Sequence, residues 1–226
     1  MESVNKFALM QTLCYLSVFI LSFLVCIPAG VNVSEFGGHC LLYASGRWNR
    51  TPPTDRFLAD VTWGPESSCN FTIFIGVISM VLGLFYIVWT STLLIRGFES
   101  SWLDAFINLI VNSIMCVCLF STSLTVSIGF RQWCELMTSA KSGFERCDDA
   151  QHFNIGKNIN VDAGNYFAQW QITQFGIWFL WLIWLVLSVM ALIRLYHYHR
   201  IESFTSSMNR ERQRLISQVT QNPQSA

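Results

Sequence analysis

Residues 104–130 are apolar enough to cross a bilayer, yet they carry two amides, Asn108 and Asn112. On a helix at about 100° per residue, with Asp104 at zero, Asn108 falls at roughly 40° and Asn112 at roughly 80°; Ser123, Cys116 and Ser127 follow at about 100°, 120° and 140°. These residues form one polar stripe. An amide turned to lipid leaves its hydrogen bonds unmade. The stretch therefore predicts an interior helix, with Asn108 and Asn112 as polar packing groups against other helices. Trp102 and Trp133 flank it and are expected as interfacial anchors, one at each membrane surface.

Three more apolar runs, 7–28, 71–95 and 171–194, exceed the ~18 residues that mark a transmembrane candidate. Charged residues make up 12% of the chain, about half the share of a soluble domain. The fold class that follows is an all-α membrane protein, a bundle of four transmembrane helices with two disulfide-bearing extracellular loops. Residues 1–195 are expected to form the bundle, and 196–226 a cytosolic juxtamembrane segment and tail. The first run, 22 residues long, is longer than a signal-peptide core of about 7–15 residues, and its Lys6 is offset by Glu2. It is read as a retained helix that ends at Pro28. With zero net charge and no basic, aromatic-interleaved patch, nucleic acid is not expected as a partner.

An even helix count places both termini on one side. Counting positive charges does not say which side, because the two long loops and the rest of the chain share them equally. The first loop carries three glycosylation sequons, at Asn32, Asn49 and Asn70. It also holds Cys40 and Cys69, and the second long loop holds Cys134 and Cys147. Paired loop cysteines suit an oxidising compartment. Both termini are therefore expected in the cytosol, and the loops outside the cell or in the lumen of the secretory pathway. Asn49 is the best acceptor, being furthest from the helices in sequence. Pairing within each loop, Cys40 with Cys69 and Cys134 with Cys147, needs the fewest long-range coincidences. The stretch Gly37 to Tyr43 reads as a short strand.

Ser79 and Gly83 form a small-xxx-small pair that lets a helix approach closely. Ser101 and Asp104 have capping-box spacing, which makes Asp104 a helix cap rather than an ion site. Trp170, Trp178, Trp181 and Trp184 share an arc of about 120° with Gln174 inside it. In the tail, Glu211, Leu215 and Ile216 have the acid-xxx-Leu-Ile spacing of an adaptor-binding sorting signal; the competing reading is an amphipathic tail helix. No Walker loop, Gly-x-Ser-x-Gly, His-Glu-x-x-His or zinc-spaced cluster is present, so neither an enzyme nor a cofactor is expected.

Several segments together resemble the transmembrane protein 179 family. They are Gly38-His-Cys-Leu-Leu-Tyr43 with Trp48, Trp63-Gly-Pro with Cys69 and Phe71, and Ala105-Phe-Ile-Asn-Leu109. Further along come Ser127-Ile-Gly-Phe130 with Trp133-Cys134, and Gln174-Phe-Gly-Ile-Trp178 with Trp181 and Trp184. The resemblance implies a four-pass membrane protein and brings no established catalytic or binding residues. The plan is also similar to claudins and channel-accessory tetraspan proteins, but their Gly-Leu-Trp followed by a closely spaced cysteine pair is missing. The leading expectation is an accessory or trafficking partner of other membrane proteins, in the plasma membrane or secretory pathway and possibly endosomes. The alternative is a small channel or transporter formed by oligomerisation, with Asn108 and Asn112 lining a polar path.

Overall fold

A computed structural model describes residues 2–51, 55–96, 102–152 and 163–221. Its four helices are long and apolar enough to cross a membrane: α1 (Glu2–Glu35), α2 (Glu66–Arg96), α3 (Trp102–Met137) and α4 (Tyr166–Gln221). Between α1 and α2, β1 (Cys40–Thr51) and β2 (Asp55–Gly64) pair as an antiparallel hairpin.

Every helix overshoots its apolar run, and at the head end the reason is physical. Hydropathy measures the hydrocarbon layer, about 30 Å thick, while the backbone continues wherever protein replaces lipid as the packing surface. Pro28 therefore does not end α1. A proline costs one helical hydrogen bond, a loss that membrane helices absorb. The turns beyond it supply Ala29 and Asn32, both fully buried, and lead into buried Phe36. At the other end α4 passes Arg194 without a break and stays helical to Gln221.

Around the bundle, α1 packs on both α2 and α4, and α4 packs on α3; of the neighbouring pairs, α2 and α3 make the smallest contact although a short connection joins them. Close approach to α1 is set by glycines. A Cβ at Gly76 would lie 3.1 Å from Cys26 Cβ, one at Gly83 3.2 Å from the Phe19 nitrogen, and one at Gly176 3.1 Å from Leu24 Cβ. Small residues of this kind let membrane helices gain contact without a hydrophobic driving force.

Two cores result. One lies inside the bundle, around Tyr15, Met115, Leu119, Ile177, Leu180, Trp184 and Leu187. The other forms a head where the hairpin meets the ends of α1, α3 and α4. In the head, Phe36 lies edge-on to Trp63, Trp133 and Tyr166. Trp133 is therefore no interfacial anchor. It is fully buried, as is Trp170, while Trp102 at the opposite end is half exposed. The tryptophans at the head end meet protein where an isolated helix would meet headgroups.

Irregularities bend β1 over α3. Pairing shifts register between Cys40 and Ser45 and again before Arg47. In the displaced segment Leu41, Leu42 and Ala44 are fully buried, and Tyr43 adopts a left-handed φ of 66°. Gly64 opposes this segment, where a Cβ would fall 1.6 Å from the Leu42 carbonyl oxygen. The indole N–H of Trp48 donates to the Leu136 carbonyl at 2.9 Å and ties the hairpin to the end of α3.

Candidate functional site

Within the bundle, the polar stripe of α3 closes into a knot around Tyr15. The Tyr15 hydroxyl donates to Asn108 Oδ1 at 2.8 Å and lies 3.2 Å from Asn112 Oδ1. Asn112 Nδ2 donates to the Leu187 carbonyl of α4 at 3.3 Å. One face of the Tyr15 ring stacks on Tyr86 of α2 at 4.8 Å, and Trp184 of α4 meets it edge-on. All four helices thus converge on one neutral hydrogen-bonded group, with Asn112 fully buried. Nearby, Thr12 donates to Thr90, linking α1 to α2 at 3.0 Å. Two buried donors, Trp184 Nε1 and Ser79 Oγ, have no hydrogen-bond partner among the described residues.

The stripe on α3 was legible; its partners were missed. Helix 1 reads as bland, yet Gln11 and Tyr15 stand four residues apart and are buried together. Tyr86 and Thr90 repeat that spacing on α2 and are also buried. An i, i+4 pair of polar side chains in an apolar run is the signal that finds this face.

A second polar group pins the head. Asn32 Oδ1 accepts from Trp170 Nε1 at 2.9 Å, and its Nδ2 donates to Gln169 Oε1 at 2.8 Å. Gln169 Nε2 in turn donates to Glu35 at 2.7 Å. The sequon at Asn32 is thereby corrected: its amide is fully buried and spent between α1 and α4, with no room for a glycan. Asn49 on β1 and Asn70 in the first turns of α2 are exposed. Disulfides join Cys40 at the start of β1 to Cys69 in the first turn of α2, and Cys134 near the end of α3 to Cys147 in the following loop. Beside the second bridge, the Tyr166 hydroxyl donates to the Cys147 carbonyl. Arg146 pairs with Asp148 at the start of a short 3-10 turn.

At the opposite end, Asp104 in the first turn of α3 accepts from Trp89 Nε1 at 3.1 Å. Its expected capping partner, Ser101, lies outside the described residues. The backbone from Glu211 to Ile216 is helical, whereas the adaptor signal requires an extended segment. Glu211 is exposed, and the side chains of Leu215 and Ile216 lie outside the described set.

Residues 7–216 match the family described as the transmembrane protein 179/179B claudin domain. The chain belongs to this family. It is also 23% identical over 176 residues to transmembrane protein 179B of Danio rerio, with 75% of each chain covered. No solved structure matches. Membership makes the chain a multi-pass membrane protein with a claudin-like domain. In this chain Cys40 and Cys69 bracket a whole hairpin. Among the described residues no three His, Cys, Asp or Glu side chains are grouped to hold a metal ion. The knot offers hydroxyl, amide and indole groups without a charge, and such groups fix helices relative to one another.

Proposed function

We propose that the chain is a membrane interaction protein, an accessory or trafficking partner that presents its head and lipid-facing helix surfaces to other membrane proteins. One observation carries the reading. The amides that a channel would turn toward its path are spent inward, Asn108 on Tyr15 and Asn112 on the Leu187 carbonyl. A pore built by several copies would need polar lining from elsewhere, and the outward faces are aliphatic and aromatic. The head supports the same reading: two disulfides and a buried aromatic cluster hold its surface in one shape, which lowers the ordering cost of recognition.

In this reading the head faces the lumen or the extracellular space, Asn49 carries a glycan, and both termini are cytosolic. The exposure of Asn49 and the oxidising chemistry of the cysteines support that orientation. The test is affinity purification in mild detergent followed by mass spectrometry. A heterologous membrane protein recovered in stoichiometric amount is the expected result. A homo-oligomer recovered alone, conducting ions after reconstitution, would replace this reading with the channel.

A further inference from the structure

The seam between α3 and α4 near the head carries a polar pair that the knot does not use. Ser127 Oγ accepts two N–H groups, from Gln174 Nε2 at 3.1 Å and from Trp178 Nε1 at 3.1 Å. These contacts occupy the lone pairs of the hydroxyl and leave its proton to donate. Gln174 Oε1 likewise retains its accepting capacity, since among the described residues neither group has a further partner. Both residues are half-buried, so each keeps accessible surface.

An unspent O–H donor beside an unspent carbonyl acceptor is complementary to one incoming hydroxyl, which accepts from Ser127 and donates to Gln174. A phosphate or carboxylate would meet the Gln174 carbonyl unfavourably, and an ammonium would leave the Ser127 proton unpaired. Depth narrows the ligand further. Ser127 stands 23 residues from Asp104 and Gln174 stands 20 residues from Arg194. At 1.5 Å per residue these separations are about 34 Å and about 30 Å, close to the thickness of the hydrocarbon layer. The pair thus lies at the head-side boundary of that layer. One to two turns deeper on the same seam lie Phe120, Trp178 and Trp181, with centroids of Phe120 and Trp181 5.3 Å apart and of the two tryptophans 5.7 Å apart. Phe120 is 42% exposed, and Leu124 beside it is 39% exposed.

A single hydroxyl at the interface, with a rigid apolar body below it, is the chemistry of a sterol. We propose that the Ser127–Gln174 pair and the Phe120, Trp178 and Trp181 surface form a sterol-binding site on the membrane face of the bundle. The hydroxyl sits on the polar pair, and the rings lie along the aromatic side chains.

The full chain in phospholipid nanodiscs, labelled with a photoactivatable sterol, provides the test. Cholesterol should compete for labelling about tenfold better than its 3α-hydroxyl epimer, since the epimer cannot place its hydroxyl on both groups. Labelled peptides should map to α3 and α4. Gln174→Leu and Ser127→Ala should each lower labelling, while Ser121→Ala on the exposed face of α3 should leave it unchanged. Equal competition by the epimer or by a diacylglycerol would overturn the proposal, as would labelling confined to α1 and α2. The epimer comparison uses the unaltered protein, so a variant that misfolds does not rescue the idea.

Discussion

The head packs Phe36, Trp133, Tyr166 and Trp170 around two disulfides, whereas the bundle packs aliphatic side chains around one neutral polar knot. Water surrounds the outer side of the head, so burying its aromatic rings is driven by the hydrophobic effect. Lipid surrounds the bundle and is as apolar as leucine, so burial there gains little. Close approach at Gly76, Gly83 and Gly176, and hydrogen bonds between helices, must supply specificity instead. The same helices thus run through two solvents, and each portion uses the interactions that its solvent makes worthwhile.

The largest expected effect separates the two cores directly. In the chain-entropy picture, a bridge closing 29 residues between Cys40 and Cys69 stabilises by about 3.6 kcal/mol. The corresponding figure for the shorter Cys134–Cys147 loop is about 2.9 kcal/mol. Cys40→Ser/Cys69→Ser should therefore make the hairpin sensitive to protease while far-ultraviolet circular dichroism still reports a helical bundle. Loss of helicity and of hairpin protection at the same temperature would show that the two cores unfold as one unit.

Next comes the amide that joins head to bundle. Asn32→Leu strands the fully buried Trp170 N–H and removes a partner from Gln169. The cost should be about 1–3 kcal/mol, read as a lower midpoint of thermal unfolding in detergent. Glycosidase digestion sharpens the point: Asn49→Gln should remove a mass step and leave the midpoint alone, and Asn32→Gln should do the opposite. A lost mass step in the Asn32 variant would return that residue to the glycan acceptors.

Within the bundle, Asn112→Leu removes the bond to the Leu187 carbonyl and one acceptor near Tyr15. The expected loss is roughly 0.6–2 kcal/mol, smaller than in the head because the competing state in lipid also finds partners. Topology should not change, and a glycan at Asn49 would report that. If the variant is as stable as the parent, the knot contributes register rather than free energy.

What could be read from the sequence divides along the same line. Hydropathy locates the four spans because it reports the solvent that each residue prefers, and the Asn108–Asn112 stripe shows which face of α3 turns inward. Tyr15 could have been found by its spacing from Gln11. The head was much less legible. Its second strand holds Arg56, Asp60 and Thr62 among its apolar residues, a weak alternation bent by a bulge and a left-handed Asp60. Trp133 and Trp170 sit where membrane anchors sit in sequence, and only the tertiary packing of the hairpin buries them. The Asn32 sequon is buried for the same reason, because a three-residue motif carries no information about burial.

The smallest expected effect on stability belongs to the tail, which lies in neither core. Residues 208–213 of α4 are exposed, so substitutions beyond them should leave both cores intact. Leu215→Ala/Ile216→Ala should not move the unfolding midpoint of the head or of the bundle. In the trafficking reading it should instead raise the amount of protein at the cell surface, as measured by surface biotinylation and uptake. The backbone is helical there, so an adaptor must first unwind at least a turn near the free end of α4. Helix ends open most readily, having few neighbours to hold them, and the motif stands only five residues before the last helical residue, Gln221. Proline substitution at Ser217 provides the complementary arm. By disfavouring helix at the residue before it, Ser217→Pro should expose the Leu-Ile pair and speed internalisation, while the double-alanine variant slows it. Opposite shifts in uptake support a sorting signal gated by helix unwinding. If neither variant changes uptake, residues 211–216 are simply part of a tail helix, and any traffic of the protein is directed from the head or from the bundle.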